Sequence, residues 1–307
     1  MTHTLEFKLH ELIPYVNWTY FFHAWSIPQR FSSITQVHDC PGCLSAWTNT
    51  FNEADREAAG EVIRLYKDAR DFILKNGEKS AYAKFGIYEA TSLDESVFIE
   101  DTEKGRTLEF PFLRQQTART SEPFLCWADF IVPTDKKALY PQGARGTQMG
   151  VFAATAGEEL AKQEEDDAYW HMMAQTIADR MAEAAAERMH ELVRKVYWGY
   201  SPNESLSPQE LFSEKYEGRR PAVGYPSLPD ISLNFLIDEC IEMGDIGISL
   251  TENGMMQPHA SVSGLLFDHP ACRHFAIGKI GEDQLEAYSA KRGVTPEDIR
   301  KFLARNL

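Results

Sequence analysis

The chain has 307 residues, 46 of them Asp or Glu and 31 Lys or Arg, for a formal net charge of −15. Affinity for a nucleic-acid backbone comes mostly from Lys and Arg neutralising phosphates, so this balance disfavours nucleic acid as main partner while leaving anionic small ligands open. An apolar fraction of 43%, 12% aromatics and no run of about 18 apolar residues exclude wholesale disorder and a membrane-spanning helix.

The opening MTHTLEFKLHELIPY lacks the basic end and apolar run of a signal peptide. Five cysteines, an odd and scattered set, read as reduced thiols in a cytoplasmic protein. Cys40-Pro41-Gly42-Cys43, with His38 just before it, is the exception. It could be half of a zinc site or a redox pair, but no second CxxC or CxxH completes it, which favours a turn with two incidental thiols.

In chain order, residues 15–25 (YVNWTYFFHAW) form an aromatic run suited to core packing or to stacking on a planar ring. Apolar residues at three and four from Asn52 to Asn76 predict a helix, with Asn52 as N-cap and Asn76-Gly77 as stop. Strands are predicted over 81–89, 96–101 and 106–112, then over the apolar runs 124–132 and 148–155, with a Pro/Gly loop at 133–147. The strongest element is a helix from about Glu164 to Val196, whose residues Met173, Ile177, Met181, Ala185, Met189, Leu192 and Val196 keep one apolar face. Its other side, Glu183, Glu187, His190 and Arg194, reads as a solvated face unless it lines a concavity. Ser207-Pro208-Gln209-Glu210 is a capping box. Further strands are predicted at 245–250, 261–267 and 274–280, and helices at 282–292 and from Thr295. Small residues in 251–264 place backbone close to a ligand or another strand. Strands in runs predict an α+β fold with a mostly antiparallel sheet, and no composition break divides 1–307 into domains.

GxGxxG, Walker, GxSxG and HExxH motifs are all absent, so generic catalytic motifs leave the function open. One segment stands out chemically. In Arg220-Pro221-Ala222-Val223-Gly224-Tyr225-Pro226, an Arg beside exposed backbone and a Tyr makes a cradle for a carboxylate or phosphate, unless it is merely an exposed Arg in a turn.

Together with this segment, VRKVYWGY (193–200), PNE (202–204), LRQQ (113–116), ADFI (128–131), LTE (250–252), SVSG (261–264) and His269-Pro270 occur in an order that resembles the activation domain of cobalamin-dependent methionine synthase. The resemblance runs from about residue 11 to the end and implies a single C-shaped α+β domain with a twisted antiparallel sheet, flanked by helices including one long one. It also implies binding of S-adenosylmethionine in a shallow groove. With an electron from flavodoxin or a flavoprotein reductase, such a domain restores methylcobalamin from inactive cob(II)alamin on a cobalamin-binding module. By the same resemblance, Arg220 pairs with the methionyl carboxylate, Ala222 and Gly224 give backbone contacts, Tyr225 lies alongside, and Glu183 and Glu214 face the cationic end.

Three positions depart from the family pattern. Asn17 stands where the family has Asp, and His274-Phe275 replaces a pair of tyrosines. Asn17 keeps an acceptor without the charge, and Phe275 keeps the ring without the hydroxyl. No Asp-x-His-x-x-Gly loop is present, so cobalamin is expected on a partner module, with this chain acting in trans. The competing expectations are a corrinoid-protein partner that has lost S-adenosylmethionine use and a methyltransferase with another acceptor. A basic patch of Arg194, Lys195, Arg219 and Arg220 is expected to offset the charge toward an acidic electron donor.

Overall fold

The sheet is organised on one long central strand, Ser80–Leu93, in a computed structural model that describes residues 1–117, 122–162 and 167–307. Numbering in chain order, β1 is Thr2–Lys8, β2 is this central strand, β3 is Ser96–Asp101, β4 is Arg106–Pro111 and β5 is Gln148–Thr155. β6 (Ser249–Leu250) and β7 (Met256–Gln257) form a separate small pair, and β8 is Ser261–Leu266. The order is β4-β3-β2-β5-β8, with β1 on the first half of β2, and every ladder is antiparallel. At fourteen residues β2 is long enough to carry β1 and β3 in succession on one edge and β5 on the other.

Side chains alternate across a strand, and here both faces are covered. Ala81, Ala83 and Phe85 of β2 and Phe152 and Ala154 of β5 join a core with the helix Glu53–Lys75 and the long helix. Tyr88, Ala90, Met149, Val151 and Ala153 point the other way, onto the helix Leu233–Ile241 and Trp127. A third cluster holds the C-terminal helices Glu282–Arg292 and Pro296–Phe302 against Leu113, Ile277 and Ile280. The α+β class with an open antiparallel sheet therefore stands.

Three strand expectations are corrected. The run 124–132 is not a strand: Trp127–Phe130 is a 3-10 turn, closed by the Cys126 N–H donating to Asp129 Oδ2 at 2.8 Å. Arg114 holds the same carboxylate with two bonds of 2.9 and 3.0 Å. A continuous apolar run has no period to tell strand from buried turn, and one acidic residue decided it. Segment 274–280 is irregular; its backbone bonds go singly to three neighbours, Ile277 N–H to Pro226 O, Gln116 N–H to Ile277 O and Ile280 N–H to Asn306 O. Segment 245–250 is divided between a 3-10 turn, Met243–Ile246, and the two residues of β6.

The long helix runs Ala168–Leu192 with Asp167 as N-cap; the expected start at Glu164 lies outside the described residues. It continues over Val193–Tyr197 in the wider π form, with Trp198 N–H donating to Val193 O at 2.9 Å. No helix among the described residues is long and apolar enough to cross a membrane.

Candidate functional site

The polar side of the long helix is not solvated. Glu187, His190 and Arg194 are buried, because the segment 211–220 folds over them. Arg194, wholly inaccessible, makes two bonds to Glu204 (2.8 and 2.7 Å) and lies 4.1 Å over the Tyr216 ring. The expected basic patch is therefore absent, since each of its members faces a carboxylate. Arg194 is taken by Glu204, Arg220 by Glu187, Arg219 by Glu214 and Lys195 by Glu191.

Above this layer opens a cleft of about 720 Å³, within the range of small-molecule sites. Asn17, Glu183, Glu214, Arg220, Ala222, Tyr225, His274 and Phe275 all line it. Gly224 does not. Its N–H is spent on Leu228 O at 2.8 Å, and with φ +88° it serves the turn that carries Tyr225. Tyr15, Tyr20 and His23 of the aromatic run 15–25 also stand on the walls, while Arg180 and Tyr216 are the lining residues that sequence reasoning missed. Arg180 could have been found, lying three residues before Glu183 on the same helix face.

Arg220 is the hinge of the electrostatics. It is 11% exposed, its Nη2 donates to Glu187 Oε2 at 3.0 Å, and its guanidinium lies 5.5 Å over Phe152. Burial works against the charge, but Glu187, Tyr216 and Glu183 outweigh it and hold the guanidinium above its ordinary value. Glu187 is pushed the other way from a surface carboxylate. Burial raises it against the opposing pull of Arg220 and Arg194. Arg220 Nε and Glu187 Oε1 have no partner, so the pair leaves bonding capacity on both sides.

Ala222 arrives by a close backbone crossing. It bridges Gly264 of β8 through Val223 N–H to Ser263 O and Leu265 N–H to Pro221 O. Those bonds flank the pair, so the N–H of Ala222 itself points away from β8. Glycine at 264 is what permits the approach, as a Cβ there would sit 2.1 Å from Pro221 O. The small residues of SVSG thus accommodate another backbone segment.

The walls are acidic and aromatic. Tyr225 donates to Glu183 at 3.5 Å, and this carboxylate followed by burial raises the phenol's pKa. Glu214, in the left-handed region at φ 52°, faces His274 Nε2 at 3.2 Å. The hydrogen bond from His274, followed by the charges of His274, Arg219 and Arg220, lowers the Glu214 carboxyl despite burial. Phe275 packs on Trp127 with centroids 5.1 Å apart. Asn17 caps the helix Trp18–Ala24, its Oδ1 accepting from Thr19 N–H at 3.2 Å. The aromatic run divides: Phe21 and Phe22 are buried in the core, while Tyr20 is 61% exposed at the cleft under Arg180.

His190 lies below the floor with both ring nitrogens unpartnered. Burial first, then Arg194, Arg220 and Arg219, hold its pKa well below the ordinary value, so it is neutral when folded. The unfolded chain takes up that proton below about pH 6.5, so folding stability falls on acidification, by at most about 1.4 kcal/mol per pH unit. Denaturant titrations at pH 5.5 and 7.0 should show a smaller acid loss in His190→Leu than in the parent. Equal losses would contradict a buried neutral imidazole.

A guanidinium at the floor, the Ala222 N–H turned away from β8, carboxylates on the walls and flanking rings define an α+β domain suited to a small molecule carrying both a carboxylate and a positive charge. The model of the vitamin B12 dependent methionine synthase activation domain matches residues 8–293, and the chain belongs to that family. The family is part of the methyltransferase system of methionine synthase. A crystal structure of the MetH reactivation domain bound to AdoHcy is 34% identical and superposes with a TM-score of 0.84, covering 100% of this chain and 90% of that one.

Proposed function

We propose that this chain serves, in the cytoplasm, the reductive reactivation of a cobalamin-dependent methionine synthase. It would bind S-adenosylmethionine in the Arg220 cleft and present it to a cobalamin carried by a partner module, with the electron supplied by flavodoxin or another flavoprotein. The observation that carries the reading is the placement of Arg220 between Glu187 and the cleft, with Glu183 and Glu214 on the walls. When bound, S-adenosylmethionine supplies an electrophilic methyl group on a sulfonium. Arg220 then exchanges part of its pairing with Glu187 for the ligand carboxylate, while Ala222 N–H adds a neutral donor. Glu183 and Glu214 stabilise the sulfonium and ammonium charges, and Tyr20, Tyr225 and Phe275 offer faces for a planar base. Of the three departures, Phe275 keeps its ring at the cleft and His274 closes on Glu214. Asn17 is the one that removes a charge.

Calorimetric titration of the full chain with S-adenosylmethionine is expected to show saturable one-to-one binding. Asn17→Asp, which retains the helix cap and adds a carboxylate, should tighten it up to about fivefold, the usual size of one exposed ion pair. No heat at millimolar ligand would overturn the reading and leave a partner that only caps a corrinoid protein. An anaerobic remethylation assay with the cobalamin module supplied as a separate polypeptide tests action in trans.

A further inference from the structure

Away from the cleft, the structure brings together the three residues around the CxxC. The helix Pro41–Thr48 starts with Cys40 as N-cap, and the Cys43 N–H donates to Cys40 Sγ at 3.3 Å. One turn of helix therefore sets both sulfurs at the same end. His38, two residues earlier, turns its ring toward them, so that its nitrogen and the two Sγ atoms all lie within 4.8 Å of one another. None of the three lines the Arg220 cleft.

We propose that His38, Cys40 and Cys43 form a zinc site with three protein ligands and a fourth position open to water. In a tetrahedral site with Zn–S of about 2.3 Å, neighbouring sulfurs are about 3.8 Å apart. The observed group needs to close by about an ångström at most, which side-chain rotation supplies because His38 and Cys43 are exposed. Two thiolates and a neutral imidazole carry the two negative charges that balance the cation, and the helix N-terminus favours negative charge there. The Cys43 N–H bond to Cys40 Sγ is an outer-shell contact of the kind that orients a metal thiolate. Asp39 is not the fourth ligand, because its carboxylate pairs with Lys67 at 2.9 Å. A redox dithiol requires only the two sulfurs; the third donor within 4.8 Å of both is what favours a metal. Bound zinc would tie the segment before Cys40 to the start of the helix, next to Val37 and Leu44, which pack on the core.

The test uses the full chain, reduced and freed of reductant under anaerobic conditions, titrated with Co²⁺ and then with Zn²⁺ against a chromophoric chelator. The expected result is one equivalent of Co²⁺ giving thiolate charge-transfer absorption and intense tetrahedral bands, displaced by Zn²⁺. Cys126, Cys240 and Cys272 are buried and do not compete. Cys40→Ser and Cys43→Ser should each weaken binding on the order of 100-fold, and His38→Ala at least about 10-fold. None of the three is a buried core residue, so a far-ultraviolet spectrum like the parent's shows that the loss is local. Absence of stoichiometric uptake by the reduced protein overturns the proposal. So does an affinity unchanged in His38→Ala, which would leave a dithiol rather than a three-ligand site.

Discussion

Arg220→Ala is expected to abolish S-adenosylmethionine binding, with a loss of at least about 100-fold, and at the same time to lower folding stability by about 3–5 kcal/mol. The two effects have different origins. Binding is lost because the guanidinium is the cation at the floor of the cleft. Stability is lost because Glu187, almost fully buried, would keep its carboxylate without the partner at 3.0 Å. Glu187 already has a raised pKa, and removing Arg220 raises it further. A carboxyl whose folded pKa exceeds its unfolded value is more stabilising when protonated, so the stability deficit of Arg220→Ala should shrink as pH falls from 7 toward 5. Glu187→Gln in the same chain removes the stranded charge. The double variant should recover much of the stability and none of the binding. Denaturant unfolding and calorimetry on the three variants separate the effects, and a double variant that binds like the parent would remove Arg220 from the ligand.

Gly264→Ala is expected to act as strongly from a residue that lines no cleft. Its Cβ would meet Pro221 O at 2.1 Å, Phe152 Cε1 at 2.8 Å and Ala222 Cα at 3.0 Å. Two of these atoms are backbone, so the 219–223 segment itself must move, carrying Arg220 and Ala222 with it. Overpacking of this kind costs about 1–3 kcal/mol or more, and here it also displaces the floor of the site. A destabilised protein with ligand affinity reduced at least about tenfold is the expected measurement. Gly60→Ala is the control. Gly60 lies inside the helix Glu53–Lys75 with nothing within 4 Å of a built Cβ, and alanine there should stabilise by about 1 kcal/mol. Parent-like affinity and stability in Gly264→Ala would show that the crossing is not tight.

Where the sequence carried a period or a cap, it was sufficient. The helix Glu53–Lys75 starts after Asn52 and ends at Asn76, and the capping box at Ser207–Glu210 is formed as written. The strands 96–101 and 148–155 lie at their expected residues. Where a run was wholly apolar, as in 124–132, the outcome turned on a contact from outside, Arg114 on Asp129. Similarly, the Glu183 side of the long helix has the pattern of a solvated face. Nothing within the helix reveals that residues 211–220 will roof it.

The sequence by itself determined the α+β class, the long helix, the main sheet strands and, through the order of its motifs, the family. It also placed Arg220, Ala222 and Tyr225 within one short segment. The resemblance put Asn17, Glu183, Glu214 and His274 at the same groove, but only the tertiary structure decided how they meet that segment across the cleft, that Arg194 and Arg220 are buried on carboxylates, and that His38 reaches the two thiols. The physical reason is range. Periodicity, caps and turn residues act over a few neighbours along the chain, whereas burial of a charge depends on which distant segment excludes its water.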